Sequence, residues 1–141
     1  GRINLRSKVD LKLGQANGHE ARVLLLDVKT GRPAASHTDD LRFYALLETM
    51  KIGVPPFRVA SLYLETGDWH CEDITEDILD VAVRRVVGGV GRLVELQLGQ
   101  REPTFAAGPT CNYCRLRDTC EGAVQWADER DRRGLDPIPS W

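Results

Sequence analysis

The stretch Leu26-Asp27-Val28-Lys29-Thr30-Gly31 places a carboxylate and an ammonium two residues apart at the end of an apolar run. In an extended strand, side chains at i and i+2 point to the same face, so Asp27 and Lys29 share one. A second carboxylate, Asp10, lies 17 residues upstream in an alternating segment. If the two segments pair, two carboxylates and an ammonium converge at one sheet edge. Such a pair suits Mg²⁺, which takes oxygen ligands and keeps waters free for phosphate. The metal lowers the pKa of a coordinated water, and a nearby lysine orients that water or balances charge gathering on phosphorus. Hydrolysis of a phosphodiester is the chemistry this combination suits. The plain alternative is a surface ion pair beside a turn, but two charges closing a strongly apolar strand are costly unless they bind something.

The second chemistry-bearing group is Cys111-x2-Cys114-x5-Cys120, with Cys71 standing apart. Cys-x2-Cys spacing lets two thiolates grip one metal centre. A secreted disulfide scaffold would spread its cysteines, so the clustering favours metal or cluster ligation in a reducing cytosol. Zn²⁺ completed by Cys71 or a histidine, and three free thiols, are the competing readings. Cys71 falls on an expected strand and reads as a packed thiol.

The elements that must position these groups follow from hydrophobic periodicity. Lys8 to Leu13 alternates, as a strand with one buried face does. Gly14 to Gly18 ends in Asn-Gly, a hairpin cue, and residues 21–28 form a more continuous apolar strand suited to the sheet centre. A helix is expected from a cap at Thr38 or Asp39 to about Lys51, stopped by Gly53-Val54-Pro55-Pro56. Residues 57–65 alternate, with Val59, Ser61 and Tyr63 on one face, and turn through Thr66-Gly67-Asp68 into a strand over 69–74. Thr75 opens a second helix with acidic residues in its first turn and an apolar stripe Ile78, Leu79, Ala82, Val86, Val90 and Leu93. No strand leads into its Gly88-Gly89-Val90-Gly91 cluster, which therefore marks a point of kinking and not a phosphate loop. Residues 99–120 lose periodicity, a short helix is expected over 122–133, and 134–141 reads as a loosely held tail.

Composition narrows the function classes. The 141 residues carry 19 Lys and Arg against 21 Asp and Glu, a net charge of −2. That balance excludes a polybasic nucleic-acid sponge while leaving room for a local basic groove, for which Arg42, Arg58, Arg115 and Arg117 are the candidates. Trp69, Trp126 and Trp141 are candidates for base stacking, with packing as their plainer use. His19 and His37 read as solvated loop residues, and His70 faces the core or the cysteine loop. The 42% hydrophobic and 28% charged content is that of a globular chain. Apolar runs are only a few residues long, so no membrane partner and a cytoplasmic location are expected. The chain starts at Gly1 within a strand-like run, as a piece of a longer protein would.

Val9-Asp10-Leu11, Leu25-Leu26-Asp27-Val28-Lys29-Thr30-Gly31 and Leu41-Arg42-Phe43-Tyr44-Ala45-Leu46-Leu47 together resemble the PD-(D/E)XK nucleases of the RecB-like branch. That branch includes RecB and AddB nuclease domains and CRISPR-associated exonucleases, and the likeness spans roughly residues 3–122. It implies an α/β fold of restriction-endonuclease type, a mixed central sheet flanked by helices with a cysteine-rich C-terminal cap. The core would cover 1–122, its cap about 99–122, with a C-terminal helix and tail over 123–141. The resemblance assigns Asp10 and Asp27 to Mg²⁺ or Mn²⁺ and Lys29 to water activation. The family's helical Gln-x-x-x-Tyr is met at Tyr44, while Asp40 occupies the Gln position and adds negative charge near phosphate. Cys111, Cys114 and Cys120 would bind a [4Fe-4S] cluster whose fourth ligand is expected upstream of Gly1. The implied activity is exonucleolytic cleavage of DNA ends or single strands in repair or recombination, with a helicase or other domains of the parent chain as partners. A catalytically impaired DNA-binding or iron–sulfur module, and a zinc-stapled interaction domain, stay open as alternatives.

Overall fold

A computed structural model describes residues 3–134. The described residues form a mixed α/β architecture of four strands and three α-helices. It divides into two compact units, one through Val94 and one from Glu95.

The first unit is built on an open sheet in the order β1 (Leu11–Leu13), β2 (Leu24–Lys29), β3 (Arg58–Tyr63), β4 (Trp69–Asp73). The outer pairs are antiparallel and the central β2–β3 pair is parallel. Two hairpins are thus joined through the crossover helix α1 (Ala35–Ile52), which a parallel connection requires. Gly14 makes the first turn possible. Its φ is +85°, and a Cβ there would meet the Arg22 carbonyl oxygen at 2.2 Å.

The continuous apolar sequence of β2 fits its central position. Leu25 is fully buried and joins Val23, Leu41, Ala45 and Val59 in the core, with Val9, Tyr44, Ile74 and Leu79 packed around it. Leu41 and Ala45 are one helical turn apart, so α1 lays one stripe along β2 and β3. Arg42 ties α1 to β4 through a two-pronged contact with Glu72, Nε donating at 2.8 Å. The helix α2 (Glu76–Gln97) continues through its glycine cluster. Its expected stripe holds from Ile78 to Val90, but Leu93 is exposed.

Three expectations are corrected here. Helix α1 begins at Ala35, a turn before Thr38 and Asp39, with Ala34 at its N-cap and no side-chain cap. His37 is therefore a helical, half-buried residue and not a loop residue. In β1 the alternation is real but short, and its leucines are not buried: Leu11 and Leu13 are 48% and 49% exposed. Lys12 lies opposite Leu25 and pairs with Glu48 of α1, so the polar residues of this edge strand turn toward the helix. A charge pointing inward at a sheet edge also discourages pairing with another chain. Finally, Cys71 is exposed on β4 and is not a packed thiol.

The second unit contains a 3₁₀ turn (Pro109–Tyr113) and α3 (Glu121–Arg132). The tail expected from Gly134 onward, Trp141 included, lies outside the described residues beyond Gly134.

Removal of most of the Leu25 side chain by Leu25→Ala should lower the stability of this core by about 2–5 kcal/mol, measured by denaturant unfolding. A loss under about 1 kcal/mol would mean that β2 is not the central packed strand.

Candidate functional site

The site grows from the end of β2. Leu25, Asp27 and Lys29 share the face turned to α1, and Leu25 is committed to the core, so Asp27 is carried into a nearly dry position. It is 6% exposed. Lys29 Nζ stands 2.7 Å from Asp27 Oδ2, which balances the charge. The Lys29 ammonium is the one partner this buried oxygen has among the described residues.

Asp10 immediately precedes β1. Extending the Leu11–Leu26 pairing by one residue sets Asp10 opposite Asp27. Its Oδ2 accepts a 2.8 Å hydrogen bond from the Val28 backbone N–H, which fixes the carboxylate against the end of β2. The hairpin expected from the sequence thus brings the two carboxylates to the same sheet edge.

Helix α1 supplies the opposite wall. Asp40 and Tyr44 are four residues apart and so lie on one face of the helix. Asp40 reaches to 4.0 Å from Lys29 Nζ. The Tyr44 phenol is pushed above its ordinary pKa, first by burial and then by the negative charges of Asp27 and Asp40, with Asp10 contributing and Lys29 opposing. It is therefore a protonated donor throughout the neutral range. The phenol thus lies within electrostatic range of Asp10, Asp27, Lys29 and Asp40.

Two further groups of this face were not singled out from the sequence. Tyr63 lies opposite Lys29 in the parallel pairing and is buried, its hydroxyl 3.0 Å from His37 Nδ1. Ser61 lies opposite Asp27 and is 1% exposed. The alternation of residues 57–65 put Ser61 and Tyr63 on one face, but only the parallel register shows which residues they meet.

Three carboxylates against one ammonium make the site a place for a cation. Among the described residues no three His, Cys, Asp or Glu side chains gather closely enough to enclose a metal ion. Mg²⁺ nevertheless asks for only one or two protein carboxylates and keeps its waters. Asp27, whose buried Oδ2 has Lys29 as its one partner among the described residues, and Asp10, tied to the same end of β2, fit that demand.

The cysteines do not present a comparable site. Cys111 lies in the 3₁₀ turn, Cys114 follows it and Cys120 caps α3. Cys111 and Cys120 are half-buried and Cys114 is exposed. As arranged, the three thiols are not gathered for a cluster. Of the arginines considered for phosphate, Arg42 is held by Glu72, Arg58 by Asp73 and Arg117 by Asp118. Trp126 carries the Arg130 guanidinium 5.4 Å above its ring.

No protein-family model matches the chain, and no curated protein matches it either.

Burial alone would lower the pKa of the Lys29 ammonium, but contact with Asp27 and the charges of Asp27, Asp40 and Tyr44 outweigh it and leave it above 10.5. The stabilisation Lys29 draws from these partners is present below its unfolded pKa and is lost as pH rises through the higher folded value. An NMR titration of Nζ should place the midpoint above 10.5, and Asp27→Asn should lower it. A parent midpoint at or below 10.5 would show that the pair does not form.

Proposed function

We propose that the chain is a Mg²⁺- or Mn²⁺-dependent deoxyribonuclease of the PD-(D/E)XK type, RecB-like branch, hydrolysing phosphodiesters at DNA ends or in single strands. On this reading the mixed sheet with its crossover helix is a restriction-endonuclease-like core, and the cysteine segment is its C-terminal cap. The observation that carries it is the meeting of Asp10, Asp27 and Lys29 at the end of β2 under Asp40 and Tyr44 of α1.

The bound cation supplies a lowered pKa for coordinated water and a counter-charge for phosphate. The protein's own residues do the rest. Asp10 and Asp27 hold the cation, Asp10 being fixed by the Val28 N–H and Asp27 by burial. Lys29 stands beside the cation's ligand, 2.7 Å from Asp27 Oδ2. It orients the attacking water and balances charge on the non-bridging phosphate oxygens. Tyr44, held protonated, donates a hydrogen bond toward the phosphate. Water oxygen bonds to phosphorus as the ester P–O bond breaks; the proton the water gives up passes to solvent, and the leaving oxygen takes one from solvent to become the new 3′- or 5′-hydroxyl.

The rest of the reading is proposed on the same resemblance. Repair or recombination in the cytoplasm is the setting, with a helicase or other domains of a parent chain as partners. A [4Fe-4S] cluster on Cys111, Cys114 and Cys120 has the spacing as its support. Its assembly must draw the thiols together and requires a fourth ligand. A second reading, a metal- and DNA-binding module without cleavage, is favoured by Asp40, whose carboxylate brings negative charge to 4.0 Å from Lys29.

Labelled single- and double-stranded DNA incubated with Mg²⁺ or Mn²⁺ should be cleaved, and Asp27→Ala or Lys29→Ala should each slow cleavage by about 100-fold or more. DNA binding that survives both substitutions, with no cleavage by the parent, would support the second reading. Elemental analysis showing zinc without iron, in a protein that does not bind DNA, would favour a zinc-stapled interaction domain instead.

A further inference from the structure

The face of the sheet that carries the candidate site contains a residue the proposed chemistry does not use. Ser61 stands directly opposite Asp27 in the parallel β2–β3 pairing, between Val59 and Tyr63 on the helix-facing side of β3. It is as buried as the core leucines. Its Oγ has no hydrogen-bond partner among the described residues, and Asp27 Oδ2 across the strand pair has only the Lys29 ammonium. Neighbouring strands are about 4.8 Å apart, so the two buried oxygens are carried at the same level of adjacent strands.

A buried hydroxyl without a partner is rare in native structures, and an alanine would pack the same position with no polar atom to satisfy. The hydroxyl thus gives the fold nothing that a methyl would not. What distinguishes it from a methyl is that it donates and accepts, whereas the Asp27 carboxylate only accepts. A hydrated cation beside Asp27 offers both kinds of group within reach of the same strand pair.

We propose that Ser61 is a positioning residue for the divalent cation at Asp10 and Asp27. Its hydroxyl donates a hydrogen bond to the Asp27 carboxylate when the cation is bound and so holds that carboxylate for it. This inference rests on the metal-dependent reading above and adds to it a residue that touches neither substrate nor reacting atoms. Partners of this kind around a metal site change affinity by about 10- to 100-fold when removed.

The test uses the full chain and two measurements that do not involve cleavage. Calorimetric titration with Mn²⁺ should give a dissociation constant at least ten-fold weaker for Ser61→Ala than for the parent. Thermal unfolding in EDTA should show Ser61→Ala melting at the parent's temperature or above it, since the substitution removes an unsatisfied hydroxyl. A clearly lower melting temperature, or failure to fold, would make Ser61 a structural residue and overturn the inference. Equal Mn²⁺ affinity in Ser61→Ala, with binding lost in Asp27→Asn, would also overturn it while leaving the metal reading intact. A parent that does not bind Mn²⁺, or an Asp27→Asn variant that binds it as the parent does, would remove the metal reading and this inference with it.

Discussion

The ion pair between Asp27 and Lys29 is the constraint on which the first unit turns. A carboxylate at the end of a packed central strand loses most of its hydration, and an unpaired charge in that position would be strongly destabilising. Lys29 relieves this from the same strand, at the one spacing that keeps both groups on the same face. Because the compensation comes from β2 itself, it leaves α1 free to approach with groups of its own. Asp40 and Tyr44 then arrive on the turns next to Leu41 and Ala45, the residues that seat the helix on the sheet. Core packing and site assembly are thus two consequences of one helix register.

The same logic explains how a three-residue edge strand contributes to the site. Strand β1 buries neither of its leucines, and it is held by its pairing with β2 and by Lys12 reaching Glu48 of α1. A strand with so little apolar burial has little packing energy to fix its register. The hydrogen bond from the Val28 N–H to Asp10 supplies part of what is missing, tying the carboxylate to a backbone group of the neighbouring strand. Asp10 is in this sense both a site residue and a register pin.

Much of this was legible in the sequence, and the gaps have physical causes. The two hairpins followed from alternation broken by Asn-Gly and Thr-Gly-Asp, and the central place of β2 from its unbroken leucines. The start of α1 was misplaced because its N-cap is Ala34, with no side-chain oxygen to announce it, while Thr38 and Asp39 have the chemistry of caps and lie inside the helix. In β1 the alternation is present but all three residues are exposed and Lys12 is the one that turns to α1, since alternation fixes which residues share a side but not which side a helix covers. Ser61 was placed on the correct face, yet its meeting with Asp27 depends on a parallel pairing between segments separated by all of α1. Such non-local register has no local signature. The cysteine spacing was plain to see, but spacing alone does not gather thiols, and the positions of Cys111, Cys114 and Cys120 follow from turns that the motif does not encode.

The charge balance of the site orders its events. Asp10, Asp27 and Asp40 outnumber Lys29, so on the proposed nuclease reading an incoming phosphate would meet repulsion until a cation is in place. The two carboxylates beside Lys29 do not compete for it equally. Asp27 is buried and its attraction acts through a poorly screened medium, while the Asp40 side chain is 52% exposed and lies farther away, so water weakens its pull. Lys29 is therefore anchored by Asp27 and only leaned upon by Asp40. A phosphate oxygen approaching from the solvent side can displace the Asp40 contact without disturbing the buried pair. On the proposed reading, an aspartate where the resembled family carries glutamine would occupy the lysine until substrate arrives and would make cation binding a stricter precondition than a neutral amide does.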